Sequence, residues 1–137
     1  MDGYGKRVLV VEDDADSRQV LALLLIQAGY SVYEACDGLE AMNEMKRRRF
    51  DVVVTDYHMP RLNGLELLML SRVAWPDLPV VIVSGGQSDM AEIAVQRGAF
   101  AWIRKPYEGA VLLEVVNEAA RRATNDRTHA ACGRCSA

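Results

Sequence analysis

Five side chains with reactive polar groups stand where apolar runs of the sequence end. Two acids follow the first run, one acid the third, a hydroxyl the fourth and an ammonium group the fifth: Glu12, Asp13, Asp56, Ser84 and Lys105. If the runs are parallel strands, their carboxyl ends meet at one edge of the sheet, so these side chains are expected to lie together. Three carboxylates in one crevice repel one another and have raised pKa values unless a cation lies among them. The pattern therefore predicts a divalent-cation site beside a reachable carboxylate.

Magnesium fits such a site because it prefers hard oxygen ligands, keeps several waters and commonly combines one or two carboxylates with a phosphate oxygen. If a phosphoryl group is transferred to Asp56, the carboxylate oxygen attacks phosphorus while negative charge builds on the equatorial oxygens. The metal would meet one of these oxygens, the Lys105 ammonium a second and the Ser84 hydroxyl a third. A lone Asp after a strand usually only caps a loop; the coincidence of all five groups favours phosphoryl transfer.

The apolar runs alternate with helical patterns along the chain. Strands are predicted at about 6–11, 31–35, 52–56, 78–83 and 100–104, and helices at about 15–28, 39–49, 65–74, 89–96 and 108–123. The three consecutive valines at 52–54 are typical of a strand buried on both faces of a parallel sheet. Five strands alternating with five helices predict an α/β fold, a doubly wound parallel sheet. The strand order cannot be read from these residues, but the order 2-1-3-4-5 would place the ends of strands one and three side by side.

Length and composition limit the possible functions. The 137 residues indicate one domain without a second module. The net charge of -3 argues against a general nucleic-acid surface, and the basic run 47–49 is interpreted as a solvated helix end. The longest apolar run, 20–26, is too short to span a membrane, and the amino terminus lacks a signal region. A cytoplasmic protein without a membrane partner is therefore expected.

The last residues differ in character from the rest of the chain. Residues 1–123 are expected to form the domain, and the polar and small residues 124–137 a disordered tail. Cys132 and Cys135 form a CxxC pair with His129 three residues before it, but three ligands fall short of the four of a closed zinc site. Trp75, directly before Pro76, is interpreted as a loop anchor rather than a residue that stacks on a ligand.

Four motifs carry a resemblance to a known family. They read VLVVEDD at 8–14, VTDYHMPRLNG at 54–64, VVIVSGG at 80–86 and WIRKPY at 102–107. In this order and at these spacings they resemble the receiver domain of two-component response regulators, over residues 6 to about 123. Each motif alone is a weak signal, whereas the set is specific. The resemblance implies a flavodoxin-like fold with strand order 2-1-3-4-5.

The resemblance also implies a role for each acid. Asp56 would be the phosphoacceptor and a metal ligand, Asp13 a direct metal ligand and Glu12 a ligand through water. The backbone carbonyl of His58 would complete the protein ligands. The implied metal is Mg²⁺, for which Mn²⁺ could substitute.

Two further roles concern the phosphoryl group and its detection. By resemblance Ser84 and Lys105 bind the phosphoryl group, and Lys105-Pro106 has a cis peptide bond. The family couples the hydroxyl at Ser84 to an aromatic residue three positions before the lysine, here Trp102. Trp is larger than the family's usual Tyr or Phe, and glycines 85–86 would give it room to turn inward. The alternative, that Trp102 simply packs at a strand end, stays open.

His58 and Gly86 occupy positions that in this family tune the lifetime of the acyl phosphate. Ser84 with Gly85, in place of the frequent Thr with Ala, is expected to leave the phosphoryl group more open to water or a partner. Slow hydrolysis would then depend on His58.

The function implied is a signalling switch. A histidine kinase or histidine phosphotransfer protein would donate the phosphoryl group, and the domain would catalyse only its own phosphorylation and dephosphorylation. Phosphorylation would then change the surface formed by helix four, strand five and helix five. This surface would bind an unknown downstream protein, or a second copy of the chain in a weak homodimer. A stand-alone regulator, a phosphorelay intermediate and a receiver cut from a longer regulator all stay open.

A second hypothesis is a phosphohydrolase that passes through an aspartyl phosphate. Such an enzyme needs a second acid shortly after the nucleophile, where Tyr57 and His58 stand. A degenerate receiver that serves only as an interaction scaffold is disfavoured, because the set of five polar residues is complete.

Overall fold

The computed structural model describes residues 3, 5–86 and 90–136, and the side chains of the last helix as far as residue 123. In this part of the chain five strands occur: β1 (Arg7–Val11), β2 (Ser31–Ala35), β3 (Val52–Asp56), β4 (Val80–Ser84) and β5 (Ala101–Arg104). They alternate with five helices: α1 (Ala15–Gln27), α2 (Gly38–Arg47), α3 (Gly64–Ala74), α4 (Met90–Gln96) and α5 (Gly109–Ser136). Every element begins within two residues of its predicted start.

The strands form one parallel sheet in the order β2-β1-β3-β4-β5, which confirms the predicted fold class. β1 and β3 are neighbours, with Val11 paired to Thr55, so the residues that follow β1 reach the end of β3. On the other side of β3, Asp56 pairs with Val83. The carboxyl ends of β1, β3 and β4 therefore meet at one edge of the sheet.

Buried side chains cover both faces of the sheet. Because successive residues of a strand point to opposite faces, β1 sends Val8 and Val10 to one face and Leu9 and Val11 to the other. The first face packs against α1 and α5 through Leu21, Leu25, Leu112, Val116 and Ala119. The second packs against α2, α3 and α4 through Ala41, Met45, Leu67, Leu68 and Ala94. β3 and β4 are buried along their whole length, so their polar residues are accessible only from the strand ends.

Side-chain caps fix where the first three helices begin. Asp14 accepts from the Ser17 N–H at 2.9 Å, and Asp37 accepts from the Glu40 N–H at 2.8 Å. Asn63 caps α3 in the same way through the Glu66 N–H, and the Glu66 carboxylate accepts in return from the Asn63 N–H. α1 therefore starts directly after the acids that follow β1, and α3 directly after the loop that follows β3.

The last helix is longer than the sequence predicted. α5 continues to Ser136, so the predicted end of this helix near residue 123 was wrong. The division into a domain of residues 1–123 and a tail of residues 124–137 stays a prediction. These residues contain no proline, and their only glycine is Gly133, so nothing stops the helix where the sequence becomes polar. The side chains of His129, Cys132 and Cys135 lie outside the described part, and the prediction about their metal ligands stays untested. Among the described residues no helix is long and apolar enough to cross a membrane.

Candidate functional site

Three carboxylates meet at the edge formed by β1 and β3. Glu12, Asp13 and Asp56 each place one carboxylate oxygen within 4.8 Å of the others. Glu12 and Asp56 are buried, at 5% and 8% exposure, whereas Asp13 is exposed. This set of hard oxygen donors, closed on the protein side and open on the solvent side, fits a divalent cation that keeps part of its water shell.

Lys105 joins the two buried carboxylates. Its Nζ lies 3.2 Å from Glu12 Oε2 and 3.3 Å from Asp56 Oδ1. Burial lowers the pKa of Lys105, but the charges of Asp56 and Glu12 outweigh it, so the pKa is raised above its ordinary value. For Glu12, burial raises the pKa above its ordinary value, although the hydrogen bond that its carboxylate accepts from the Asp14 N–H lowers it. A positive charge is therefore favoured between these acids.

A second cation, Arg18, holds the backbone at Glu12. Its Nη1 donates to the Glu12 carbonyl at 2.8 Å, and its Nε donates to the Glu34 carboxylate on β2 at 3.2 Å. The Asp14 N–H donates to Glu12 Oε1 at 3.1 Å. Arg18 was not predicted from the sequence, because a polar residue on the outer side of an amphipathic helix carries no signal of what its side chain contacts.

Ser84 lies at the end of β4 with its side chain buried. The residue is 1% exposed, and its Oγ has no hydrogen-bond partner among the described residues. Its carbonyl accepts from the Lys105 N–H at 2.8 Å, which fixes the start of the segment that carries Lys105. Buried polar groups are nearly always hydrogen-bonded, so an unpaired hydroxyl beside a candidate site is a donor available to a ligand.

The loop after β3 is held close to Asp56 by a glycine. The Gly64 N–H donates to the Tyr57 carbonyl at 2.9 Å. A Cβ atom at position 64 would lie 2.6 Å from the Asp56 carbonyl oxygen and 3.0 Å from the Tyr57 Cα. Both neighbours are backbone atoms that cannot turn aside, so this loop requires glycine at position 64.

Three rings form a chain from this loop to β5. The Tyr57 ring contacts the His58 ring edge to face, with centroids 4.8 Å apart, and lies 5.3 Å from the Trp102 ring at an angle of 51°. Trp102 is half-buried and packs on the α2, α3 and α4 side of the sheet. A Cβ atom at Gly86 would lie 3.3 Å from His58 Nε2. The sequence predicted a link between Trp102 and Ser84; the contact with Tyr57 was not predicted.

An apolar groove of about 880 Å³ begins at the site and runs along α1. Glu12, Asp56 and Lys105 line one end of it. Most of the rest is lined by residues 106, 107 and 109 and by α1, which contributes apolar Val20, Leu21, Leu23 and Leu24 and polar Asp16, Ser17 and Gln27. On α1, Val20 and Leu23 are 64% and 51% exposed. The Lys105-Pro106 peptide bond in the wall is cis, which confirms that prediction.

The chain belongs to the response regulator receiver domain family. The model of that family, described as response regulator receiver domain, matches residues 8–117. The resemblance noted from the four sequence motifs is thereby confirmed. The chain is a receiver domain of the two-component response regulator class, a signalling module rather than an enzyme in the usual sense.

Individual relatives agree with this assignment. The chemotaxis protein CheY of Thermotoga maritima is 34% identical over 119 residues, which cover 85% of this chain and 99% of that protein. The response regulator MprA of Mycobacterium sp. strain KMS is 37% identical over 121 residues, 88% of this chain, and the chain spans about half of its length, 53%.

Solved structures share the fold. A response regulator receiver domain protein from Clostridium thermocellum superposes with a TM-score of 0.83 at 31% identity, over 87% of this chain and 97% of that one. The receiver domain of NtrX from Brucella abortus gives a TM-score of 0.80 at 34% identity, over 83% of this chain and 98% of that one.

Proposed function

We propose that this receiver domain accepts a phosphoryl group on Asp56 from the phosphohistidine of a histidine kinase or of a histidine phosphotransfer protein. The observation that carries the proposal is the position of Lys105 Nζ, within 3.3 Å of Asp56 and 3.2 Å of Glu12, at the edge where three carboxylates converge. An Asp56 oxygen forms a bond to phosphorus as the bond from phosphorus to the donor imidazole nitrogen breaks, and the imidazole keeps that electron pair.

A divalent cation, Mg²⁺ or Mn²⁺, completes this site. Asp13 and Asp56 would hold it directly, Glu12 through water, and the His58 carbonyl would be a further ligand. When bound, the cation neutralises charge that develops on the phosphoryl oxygens. The support for a cation is the charge of the donor set: among the described residues, Lys105 is the one cation whose side chain pairs with the buried carboxylates of Glu12 and Asp56.

Lys105 and Ser84 stabilise the remaining charge. The Lys105 ammonium moves from the Asp56 carboxylate to a phosphoryl oxygen, because the carboxyl group of an acyl phosphate carries no negative charge of its own. The Ser84 Oγ, which has no partner among the described residues, donates to another phosphoryl oxygen. When Ser84 forms this new hydrogen bond, Trp102 turns inward. The surface of α4, β5 and α5 then changes, and it binds a downstream protein or a second copy in a weak homodimer.

The groove along α1 supports transfer from a protein donor. A phosphohistidine can reach Asp56 only if its own domain packs beside the site, and the exposed Val20 and Leu23 continue from the site as an apolar surface. The CheY and MprA relatives make a histidine kinase the expected donor. We place this exchange in the cytoplasm, with residues 1–123 as the receiver unit and 124–137 outside it.

A phosphohydrolase remains the second candidate. The two residues after Asp56 are Tyr57 and His58, and neither offers the carboxylic acid that would protonate an alcohol leaving group. Turnover of a small phosphomonoester such as p-nitrophenyl phosphate should therefore stay at the background rate while Asp56 still becomes phosphorylated.

The decisive experiment is intact-mass measurement after incubation with acetyl phosphate and Mg²⁺. Wild-type protein should gain about 80 Da, the mass of one phosphoryl group, and Asp56→Ala should gain none. Asp77→Ala removes an exposed acid elsewhere and should behave as wild type. Mass gain by Asp56→Ala equal to that of wild type would refute Asp56 as the acceptor, and no gain by wild type would refute the function.

A further inference from the structure

A second pocket lies at the opposite end of the sheet from Asp56. Its volume is about 540 Å³, and it is found where β3 and β4 begin. Residues 45–50 at the end of α2, residues 74–78 between α3 and β4, and Ala123 of α5 form its walls. This volume is within the usual range of sites for small molecules.

The floor of this pocket is apolar and aromatic. Met45 and Phe50 are buried in the core, and Trp75 and Leu78 are half-buried against the same core. Trp75 therefore anchors its loop, as predicted, and also leaves part of its surface facing the pocket. An aromatic surface of this kind favours a ligand with a planar ring.

The rim of the pocket is strongly basic. Lys46, Arg47, Arg48 and Arg49 line it, against one acid among the lining residues, Asp77. Arg47 and Arg48 share the carboxylate of Glu44, at 3.7 and 3.5 Å. Within the described chain, no ion pair involves Lys46 or Arg49. Basic side chains near the C-terminus of a helix are stabilised by the helix dipole. Arg49 lies beyond the end of α2, so this effect does not explain all four basic residues.

Arg48 is oriented before any ligand arrives. Its guanidinium lies over the Tyr33 ring, 4.2 Å from the centroid. Its Nε is buried and has no hydrogen-bond partner among the described residues, although a Glu44 oxygen lies 3.5 Å away. The opposite wall is also fixed, because Arg72 donates to the Pro76 carbonyl at 2.9 Å.

We propose that this pocket binds a second ligand, an anion of the nucleotide class. Its ring would pack on Trp75 and the apolar floor, and its phosphates would meet Lys46 and Arg49 at the rim. The composition of the pocket, aromatic below and cationic above, matches the two halves of a nucleotide. The site is separate from Asp56, because the two lie at opposite ends of the sheet.

Isothermal titration of the full chain with ADP tests this proposal. Measurements in EDTA without Mg²⁺ avoid metal-assisted binding of phosphate near Asp56. One ADP should bind per chain, more tightly than adenosine or inorganic phosphate alone. The double variant Lys46→Gln/Arg49→Gln should weaken ADP binding about tenfold or more, since it removes two phosphate contacts. No detectable ADP binding by wild type would overturn the proposal.

A matched control separates the pocket from the general charge of the protein. The double variant Lys6→Gln/Arg97→Gln also removes two positive charges, but from residues that do not line the pocket. It should bind ADP as wild type does. Equal weakening in both double variants would mean attraction by net charge alone and would overturn the proposal. Trp75→Leu should weaken ADP more than inorganic phosphate. Labelling of Lys46→Gln/Arg49→Gln by acetyl phosphate at the wild-type rate would show that the variant is folded.

Discussion

The two halves of the candidate site differ in how fully their polar groups are partnered. In the half built by β1 and β3, Glu12 accepts from the Asp14 N–H and from Lys105, and Asp56 also contacts Lys105. In the half built by β4, the buried Ser84 hydroxyl has no partner in the described part of the chain. The first half is therefore arranged before a ligand binds, whereas the second has a hydroxyl donor left for the proposed phosphoryl group.

This difference has an energetic meaning. A buried hydroxyl without a hydrogen bond costs about 1–3 kcal/mol, and a phosphoryl oxygen that accepts from Ser84 would recover part of it. If Asp56 is phosphorylated as proposed, phosphorylation would be coupled to β4 by a hydrogen bond from Ser84 that forms only in the phosphorylated state. The carboxylate half has its partners without a phosphoryl group, so the role proposed for it is reactivity rather than a signal.

The largest effect is expected from removing the Lys105 ammonium group, which contacts both buried carboxylates of the half built by β1 and β3. Lys105→Met should slow phosphorylation by acetyl phosphate about hundredfold or more, because the ammonium is the charge that meets a phosphoryl oxygen. Intact mass against time measures the rate, and Lys46→Met is the control for loss of a lysine. A rate within threefold of wild type would contradict the role of Lys105.

Asp13→Asn should weaken metal binding while the contacts of Lys105 with Glu12 and Asp56 stay in place. Removing one carboxylate charge should raise the Kd for Mg²⁺ about tenfold or more, measured by titration followed by intrinsic fluorescence. Asp16→Asn, on the exposed side of α1, should leave the Kd unchanged. Equal Kd values for wild type and Asp13→Asn would remove this acid from the metal site.

Ser84→Ala should slow phosphorylation less than Lys105→Met does. Phosphorylation should slow by about two- to tenfold, the effect of one hydrogen bond. The free energy of unfolding should not fall, because the hydroxyl has no partner among the described residues to lose. Ser84→Thr keeps the hydroxyl and should restore the rate. Destabilisation by Ser84→Ala of more than about 1 kcal/mol in urea would mean that the hydroxyl is already bonded in the free protein.

The smallest effect is expected at the loop between the halves. His58→Asn should change the lifetime of the aspartyl phosphate by about two- to threefold, the effect of a weak contact. The ring lies beside Gly86 and packs on Tyr57, the residue that follows Asp56, so its contact with the acceptor is indirect. Loss of phosphate after removal of acetyl phosphate is followed by mass, and identical lifetimes would exclude a role for this side chain.

Much of the fold could be predicted because its cause is local. The valines at 52–54 must be buried, so a strand there was predicted correctly, and the same reasoning identified β1 and β4. The strand order depends on packing between distant segments and came only from the family resemblance. The end of α5 was missed because a polar composition was taken for the end of a helix.

The candidate site was predicted in part for the same reason. Strand ends place Glu12, Asp56 and Lys105 together, so their convergence followed from the alternation of strands and helices. The contacts of Arg18 with the Glu12 carbonyl and of Tyr57 with Trp102 depend on side-chain directions across elements, which no spacing encodes. The roles of these residues stay predictions until the variants are measured.

The close approach at Gly64 limits how the gene can vary. A methyl group there would clash with backbone atoms of Asp56, the proposed phosphoacceptor, and of Tyr57, so substitution even by alanine should be selected against. In a saturation library selected for signalling, position 64 should keep glycine, while exposed Val73 on the same helix should accept many residues. Selection would then conserve a residue that has no side chain and cannot itself take part in the chemistry.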